Sequence, residues 1–156
     1  MFAWPVRVYY EDTDNGGVVY YANYLKFMER ARTEWLRSLG VEQDELREHD
    51  GVIFAVRSVT VDYLQPARFN DVLWVTAAIE EQGRASLVFT QYVVRVAGDR
   101  RHGAAGRLAQ EDYERLIGDK AAMLCTGQAK IACLDSNTLR PCPIPSHLFA
   151  ELSRGG

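Results

Sequence analysis

An α+β fold is predicted for this chain: one long helix packed on a mainly antiparallel sheet. Three observations predict it. A helical period runs from Asn23 to about Leu39, one strand-like run precedes it, and four follow it, joined by short, turn-rich connections. The length of 156 residues, with 47% apolar and 25% charged side chains, suits a single domain with a real core.

Val6 to Tyr10 has strand propensity, and Pro5 is tolerated at its start. Asp12 to Gly17 is a tight turn with two adjacent glycines. Beyond it, Tyr24, Phe27, Met28, Ala31, Trp35 and Leu39 recur at three- and four-residue spacing and make one apolar helix face. Lys26, Glu29, Arg30, Thr33 and Arg37 fall opposite, with Arg32 and Glu34 at the margins. Asn23 is the expected N-cap, and Gly40 the residue that ends the helix. A short helix is expected over about Gln43 to Glu48.

The period then becomes that of strands. Ile53 to Tyr63, Val72 to Ile79, Ser86 to Val96 and about Ala121 to Leu134 are the expected strands, with a hairpin turn at Gln82-Gly83-Arg84. The apolar run Leu87-Val88-Phe89 and Tyr92-Val93-Val94 predicts burial on both faces. Gly98 to Lys120 is the odd segment, flexible in its first half and a short helix in its second. Pro141, Pro143 and Pro145 make an extended strap, and Ser146 caps a final helical turn. Together these give one sheet with helices on one face.

Composition excludes several classes. With a net charge of −3, nothing at the level of the whole chain points to a nucleic-acid binder. No transmembrane segment is expected from the apolar runs, and Met1-Phe2-Ala3-Trp4-Pro5 is not a signal peptide, so a cytoplasmic protein is expected. Cys125, Cys133 and Cys142 lack paired-ligand spacing and are expected as reduced thiols, with no metal and no disulfide framework. His49, His102 and His147 are scattered, and there is no Gly-x-Ser-x-Gly elbow, dinucleotide loop or P-loop.

The remaining candidate is Asp12-Thr13-Asp14-Asn15-Gly16-Gly17. As a calcium loop it fails, because Gly16 stands where an acid or amide should precede the glycine and Asn23 where the closing acid should be. Two readings stay open from the residues alone. The acids serve the turn through local hydrogen bonds, or Asp14 is a catalytic carboxylate beside the unpaired N–H groups of a helix start.

The stretch Trp4-Pro5-Val6-Arg7-Val8-Tyr9-Tyr10-Glu11-Asp12-Thr13-Asp14, then Gly16-Gly17-Val18-Val19-Tyr20, then Tyr24 and Glu29-Arg30-Ala31-Arg32-Thr33-Glu34, resembles the YbgC-type acyl-CoA thioesterases. These belong to the wider 4-hydroxybenzoyl-CoA thioesterase family of hotdog-fold proteins. Thr60-Val61, Tyr63, Pro66-Ala67-Arg68 and Ser86-Leu87-Val88-Phe89-Thr90-Gln91 are also similar to that family. The resemblance implies one hotdog domain over residues 1–156, with an atypical insertion at about 98–120. It implies a hydrolase acting on an acyl-CoA thioester, with Asp14 as nucleophile or general base and the backbone N–H at Tyr21 polarising the carbonyl. Gly17, Val19, Arg84 and Ser86 are the candidate substrate-binding positions, Arg84 for a coenzyme A phosphate. No cofactor is implied, since coenzyme A is part of the substrate. The implied partners are a second copy in a homodimer or homotetramer with the site at the subunit interface, acyl carrier protein, and the Tol–Pal system. A non-hydrolytic acyl-CoA or acyl-carrier-protein binding module is the alternative. Many YbgC-type proteins have histidine where this chain has Tyr21, so a backbone role is expected there and an imidazole role is not.

Overall fold

The computed structural model describes residues 1–96 and 106–155. In chain order they form β1 (Phe2–Arg7), α1 (Asn23–Ser38), α2 (Gln43–Glu45), β2 (Val52–Tyr63), β3 (Val72–Gln82), β4 (Ser86–Arg95), β5 (Gly106–Arg107), α3 (Gln110–Gly118), β6 (Met123–Asp135) and α4 (Ser146–Gly155). A six-stranded sheet in the order β2-β6-β4-β3-β1-β5, antiparallel throughout, wraps the long helix α1 as expected.

The wrapping has visible causes. Register shifts lie between Val56 and Ser58 in the β2–β6 pair and between Ile79 and Glu81 in the β3–β4 pair, and such irregularities sharpen the bend of a strand. The bent sheet closes on α1 through Phe27, Met28, Ala31, Trp35 and Leu36, which meet Leu73, Val75, Leu87, Phe89 and Val93 in one core. Trp35 packs edge-on to Phe89 at 5.3 Å. Gly40 ends α1 at φ +79, with the Gly40 N–H donating to Arg37 O and the Val41 N–H to Leu36 O, the two bonds of a glycine-terminated helix.

Several expectations are corrected. β1 begins at Phe2 and stops at Arg7, so Pro5 lies inside it, opposite Trp74. Val8 N–H donates to Asp71 O, so by alternation position 5 turns its nitrogen away from β3 to the open edge, where no donor is needed. Asn23 is not the cap. It is the first residue of α1, and its side-chain amide donates instead to Asp12 O at 2.9 Å. The short second helix runs on from α2 through a wider turn, Leu46–Asp50, and Gly51 stops it at φ +67. β4 is buried along one face at Leu87, Phe89, Gln91 and Val93; on the other, Val88, Thr90 and Tyr92 are half-buried and Val94 is buried, so the two-faced burial expected of the run holds only at its end. α4 is a ten-residue helix rather than a single turn, seated by Leu148 and Leu152.

Most of the flexible half of the 98–120 segment lies outside the described residues. Of the rest, β5 extends the sheet edge beside Phe2 and Ala3, and α3 is the expected helix, holding Tyr113 at 4% exposure. Tyr113 lies beside the Thr76 side chain, and Thr76 faces away from its neighbours Val75 and Ala77, which point into the α1 core. So α3 covers the sheet face opposite α1, and the helices are not all on one side.

One polar cluster sits inside this core. Gln91, 1% exposed, donates to Met28 O and Thr76 O, both at 3.0 Å, and accepts from Arg32 Nη1 at 2.8 Å. Burial pushes the Arg32 guanidinium below its ordinary range, and Glu29 partly restores it.

Candidate active site

The turn after β1 is a small hairpin that leads to the start of α1. Thr13 pairs with Val19, Asp14 N–H donates to Val18 O, and Gly17 N–H returns to Asp14 O. Gly17 sits at φ +75, a conformation that explains glycine there. Tyr20 N–H and the Asn23 side chain both donate to Asp12 O, each at 2.9 Å, and tie the hairpin to the helix start.

The two acids differ in what they do. Asp12 Oδ2 accepts the Tyr9 N–H at 2.8 Å and so holds the single 3₁₀ turn Tyr10–Asp12. Asp14 Oδ1 accepts the Gly16 N–H at 2.8 Å, and Asp14 Oδ2 takes no partner among the described residues. Asp14 is exposed. Across the hairpin, the Tyr21 N–H finds no acceptor among the described residues, while the Tyr21 carbonyl accepts the Tyr63 hydroxyl at 2.9 Å. A carboxylate oxygen near the hairpin turn and a backbone donor where the hairpin meets α1 are thus both left available.

Tyr21 also lines a depression of about 250 Å³, with Val19, Tyr24, Tyr63, Leu64, Gln65 and Pro66. Tyr63 stacks edge-on with both Tyr21 (6.2 Å) and Tyr24 (5.4 Å). Burial pushes the phenols of Tyr24 and Tyr63 up, so both keep their protons at neutral pH.

Ala67 is the hub beneath this wall, and spacing alone does not single it out. It is fully buried, its N–H donates to Tyr24 Oη at 2.9 Å, and its carbonyl accepts the Val19 N–H at 2.9 Å. Arg68 pairs with Val18 next to it. The connection is pinned from behind by Arg95, which is 2.9 Å from Asp71. The Pro66-Ala67-Arg68 motif is the signal in the sequence that marks this support. Tyr24→Phe removes the acceptor for a buried N–H, and we expect it to lower stability by about 1–3 kcal/mol in urea unfolding. Tyr63→Phe, at an exposed hydroxyl, is expected to change stability by less than ~0.5 kcal/mol.

Of the positions expected to bind substrate, Gly17 and Val19 are in the hairpin beside Asp14, with the Val19 side chain 4% exposed. Arg84 and Ser86 are elsewhere. They flank the start of β4, where Ser86 pairs with Ala132 and Ala132 with Ala55. Ala55 and Tyr63 lie along one strand, roughly 25 Å apart at ~3.3 Å per residue. Within one chain, therefore, Arg84 and Ser86 do not meet Asp14. A second opening lies nearer to them, a slot of about 90 Å³ beneath α1, floored by Phe54, Val56, Leu87, Phe89 and Ile131 and rimmed by Glu29, Arg32 and Thr33. No group of three or more His, Cys, Asp or Glu side chains among the described residues is placed to hold a metal. No helix among them is long and apolar enough to cross a membrane.

The sequence profile of the Thioesterase superfamily matches residues 16–100. The chain is 37% identical to the acyl-CoA thioester hydrolase YbgC of Escherichia coli, over 99% of this chain and 97% of that protein. It is 36% identical to the acyl-CoA thioesterase YbgC of Haemophilus influenzae, over 96% and 92%. The crystal structure of a 1,4-dihydroxy-2-naphthoyl-CoA thioesterase from Synechocystis superposes with a TM-score of 0.76 at 18% identity, over 97% of this chain and 95% of that one, a likeness of fold.

Proposed function

The chain belongs to the thioesterase superfamily, and from that premise we propose how it works: it is an acyl-CoA thioester hydrolase in which Asp14 carries the chemistry and the Tyr21 N–H polarises the thioester carbonyl. The observation that carries this reading is that one hairpin holds two unsatisfied groups among the described residues, Asp14 Oδ2 near its turn and the Tyr21 N–H where it enters α1. A thioester is already activated, so a single carboxylate suffices. Asp14 attacks the carbonyl carbon, the coenzyme A thiolate leaves, and water cleaves the resulting anhydride. In the other route Asp14 takes a proton from the attacking water. Both routes build negative charge on the carbonyl oxygen, and one donor aimed at it contributes about 10²–10³ in rate.

We also propose that the working site needs two copies. Asp14 is exposed in a single chain, and Arg84 and Ser86 are at the far end of β2. β2 is an edge of the sheet, 12 residues long, with Val56, Val59 and Tyr63 exposed. Such an edge invites pairing. Two β2 strands paired antiparallel about a two-fold axis near Val59 set the Val56 end of one beside the Tyr63 end of the other. That pairing brings the partner's Arg84 and the partner's slot toward Asp14, and it reconciles the separated residues.

The test is turnover of short, long and aromatic acyl-CoAs, read by a free-thiol reagent, with an acyl carrier protein thioester as the alternative donor on the same pantetheine arm. Thiol release from at least one substrate is expected, and binding without release would contradict hydrolysis. Arg84→Ala is expected to raise KM roughly 3- to 10-fold with kcat unchanged, as for loss of a ground-state phosphate contact. Unchanged KM would remove Arg84 from the substrate site.

A further inference from the structure

We propose that Cys133 and Cys142 form a reversible redox site, closing to a disulfide that fastens the C-terminal strap to β6 beside the Gly83–Ser86 hairpin. The inference goes beyond the thioesterase activity and is independent of the assignment of Asp14. Their Sγ atoms are 3.9 Å apart, across two elements that lie side by side.

The local fold sets up the pair. At the end of β6 the chain reverses tightly. Asp135 Oδ1 accepts the N–H groups of Asn137 and Thr138, and those two bonds hold its carboxyl below the ordinary carboxylate range. Leu139 takes the left-handed conformation at φ +58, and Asp135 N–H donates to Arg140 O. The returning strap then runs antiparallel to β6: Leu134 bridges Pro141, and Cys142 N–H donates to Cys133 O at 3.0 Å. Cys133 and Cys142 are therefore directly opposite. Such residues have Cα atoms roughly 4.5–5.5 Å apart, within the span a disulfide bridges. Closure needs only side-chain rotation to bring the sulfurs to about 2.05 Å.

The place gives the bond a consequence. Cys133 N–H donates to Ala85 O on the same side of β6, and Ile144 N–H, two residues beyond Cys142, donates to Arg84 O. The hairpin that carries Arg84 is thus held by the two strands that the disulfide would join.

The chemistry balances with hydrogen peroxide as oxidant. The half-buried Cys142 thiol reduces the peroxide, giving its sulfenic acid and water. The buried Cys133 thiol then attacks that sulfur, forming the S–S bond and releasing a second water. Burial first, then the neighbouring Cys142, pushes the Cys133 thiol up to about 12. Its thiolate fraction, and with it the closing rate, rises about tenfold per pH unit below that value.

The experiment uses the whole chain, reduced, desalted and treated with hydrogen peroxide over a range of alkaline pH. Wild type is expected to lose two hydrogens by intact mass and two thiols by titration, with β6 and strap peptides linked, faster at higher pH and reversed by a dithiol. Cys125→Ser is expected to behave alike, and Cys133→Ser and Cys142→Ser to form no link. The oxidised chain is expected to melt roughly 5 °C higher, because closing a short loop restricts the unfolded chain. Peptide mapping that finds Cys142 as an oxyacid with Cys133 still a thiol, a link between two chains, or no loss of thiol would each overturn the proposal.

Discussion

Asp14→Asn is expected to lower kcat on the best acyl-CoA by about 10²–10⁴-fold and to leave the fold intact. Asparagine has the same shape and keeps a side-chain oxygen for the Gly16 N–H, so the hairpin that leads to α1 persists. What it loses is the second oxygen's chemistry. An amide neither forms the acyl anhydride nor takes a proton from water, and either loss removes a contribution of roughly 10²–10⁴. Because that interaction exists only on the way to the transition state, kcat and kcat/KM should fall together. Thermal melting should place the variant within about 2 °C of wild type, since no buried group is left unpaired. Asp12→Asn is the informative control. Its oxygen serves the Tyr9 N–H, so that change should leave turnover within a few-fold.

The second large effect is on stability. Gln91→Leu is expected to cost about 2–4 kcal/mol in urea unfolding, although it replaces a polar core residue with an apolar one of similar size. In wild type the Gln91 amide satisfies Met28 O and Thr76 O, and its oxygen receives Arg32. Leucine leaves the half-buried Arg32 guanidinium without its acceptor and strips the amide donor from the carbonyls of Met28 and Thr76, a loss that exceeds what the new apolar contact returns. In a domain of this size that cost lowers Tm by roughly 5–12 °C. The double change Gln91→Leu with Arg32→Leu should recover part of the loss, because it removes the charge together with its acceptor. If Gln91→Leu were neutral, Arg32 would have found another partner or water, and its place at the rim of the slot under α1 would need revision.

The elements with strong periodicity were legible in the residues. α1 shows its face in the spacing of Phe27, Ala31 and Trp35, and its end in Gly40, because helix geometry is a local property. β2, β3, β4 and β6 were legible within a few residues for the same reason. The misreadings have non-local causes. Asn23 looks like a cap, but the carbonyl of Asp12 is folded over it and draws its amide away. Pro5 looks like a strand start, but an open edge tolerates it inside. α4 shows only its first turn in the residues, because its seat, formed beside Trp35 and Gln82, exists only once the chain has folded. Asp14 could be singled out from its turn and from the family motif, whereas its relation to Arg84 could not. Only the length and edge position of β2 reveal that the two are far apart in one chain. The Cys133–Cys142 pair was equally hidden, since no spacing rule brings together a strand and a strap that meet through the Asp135 turn.

Structure determination of Asp14→Asn in complex with a slowly hydrolysed acyl-CoA tests the central claim most directly. The account predicts two copies paired along β2. It places the thioester carbonyl carbon within about 3.5 Å of the residue 14 side chain, and the carbonyl oxygen on the Tyr21 N–H at about 2.9 Å. A thioester bound in another cleft, with residue 14 still facing bulk water, would contradict it.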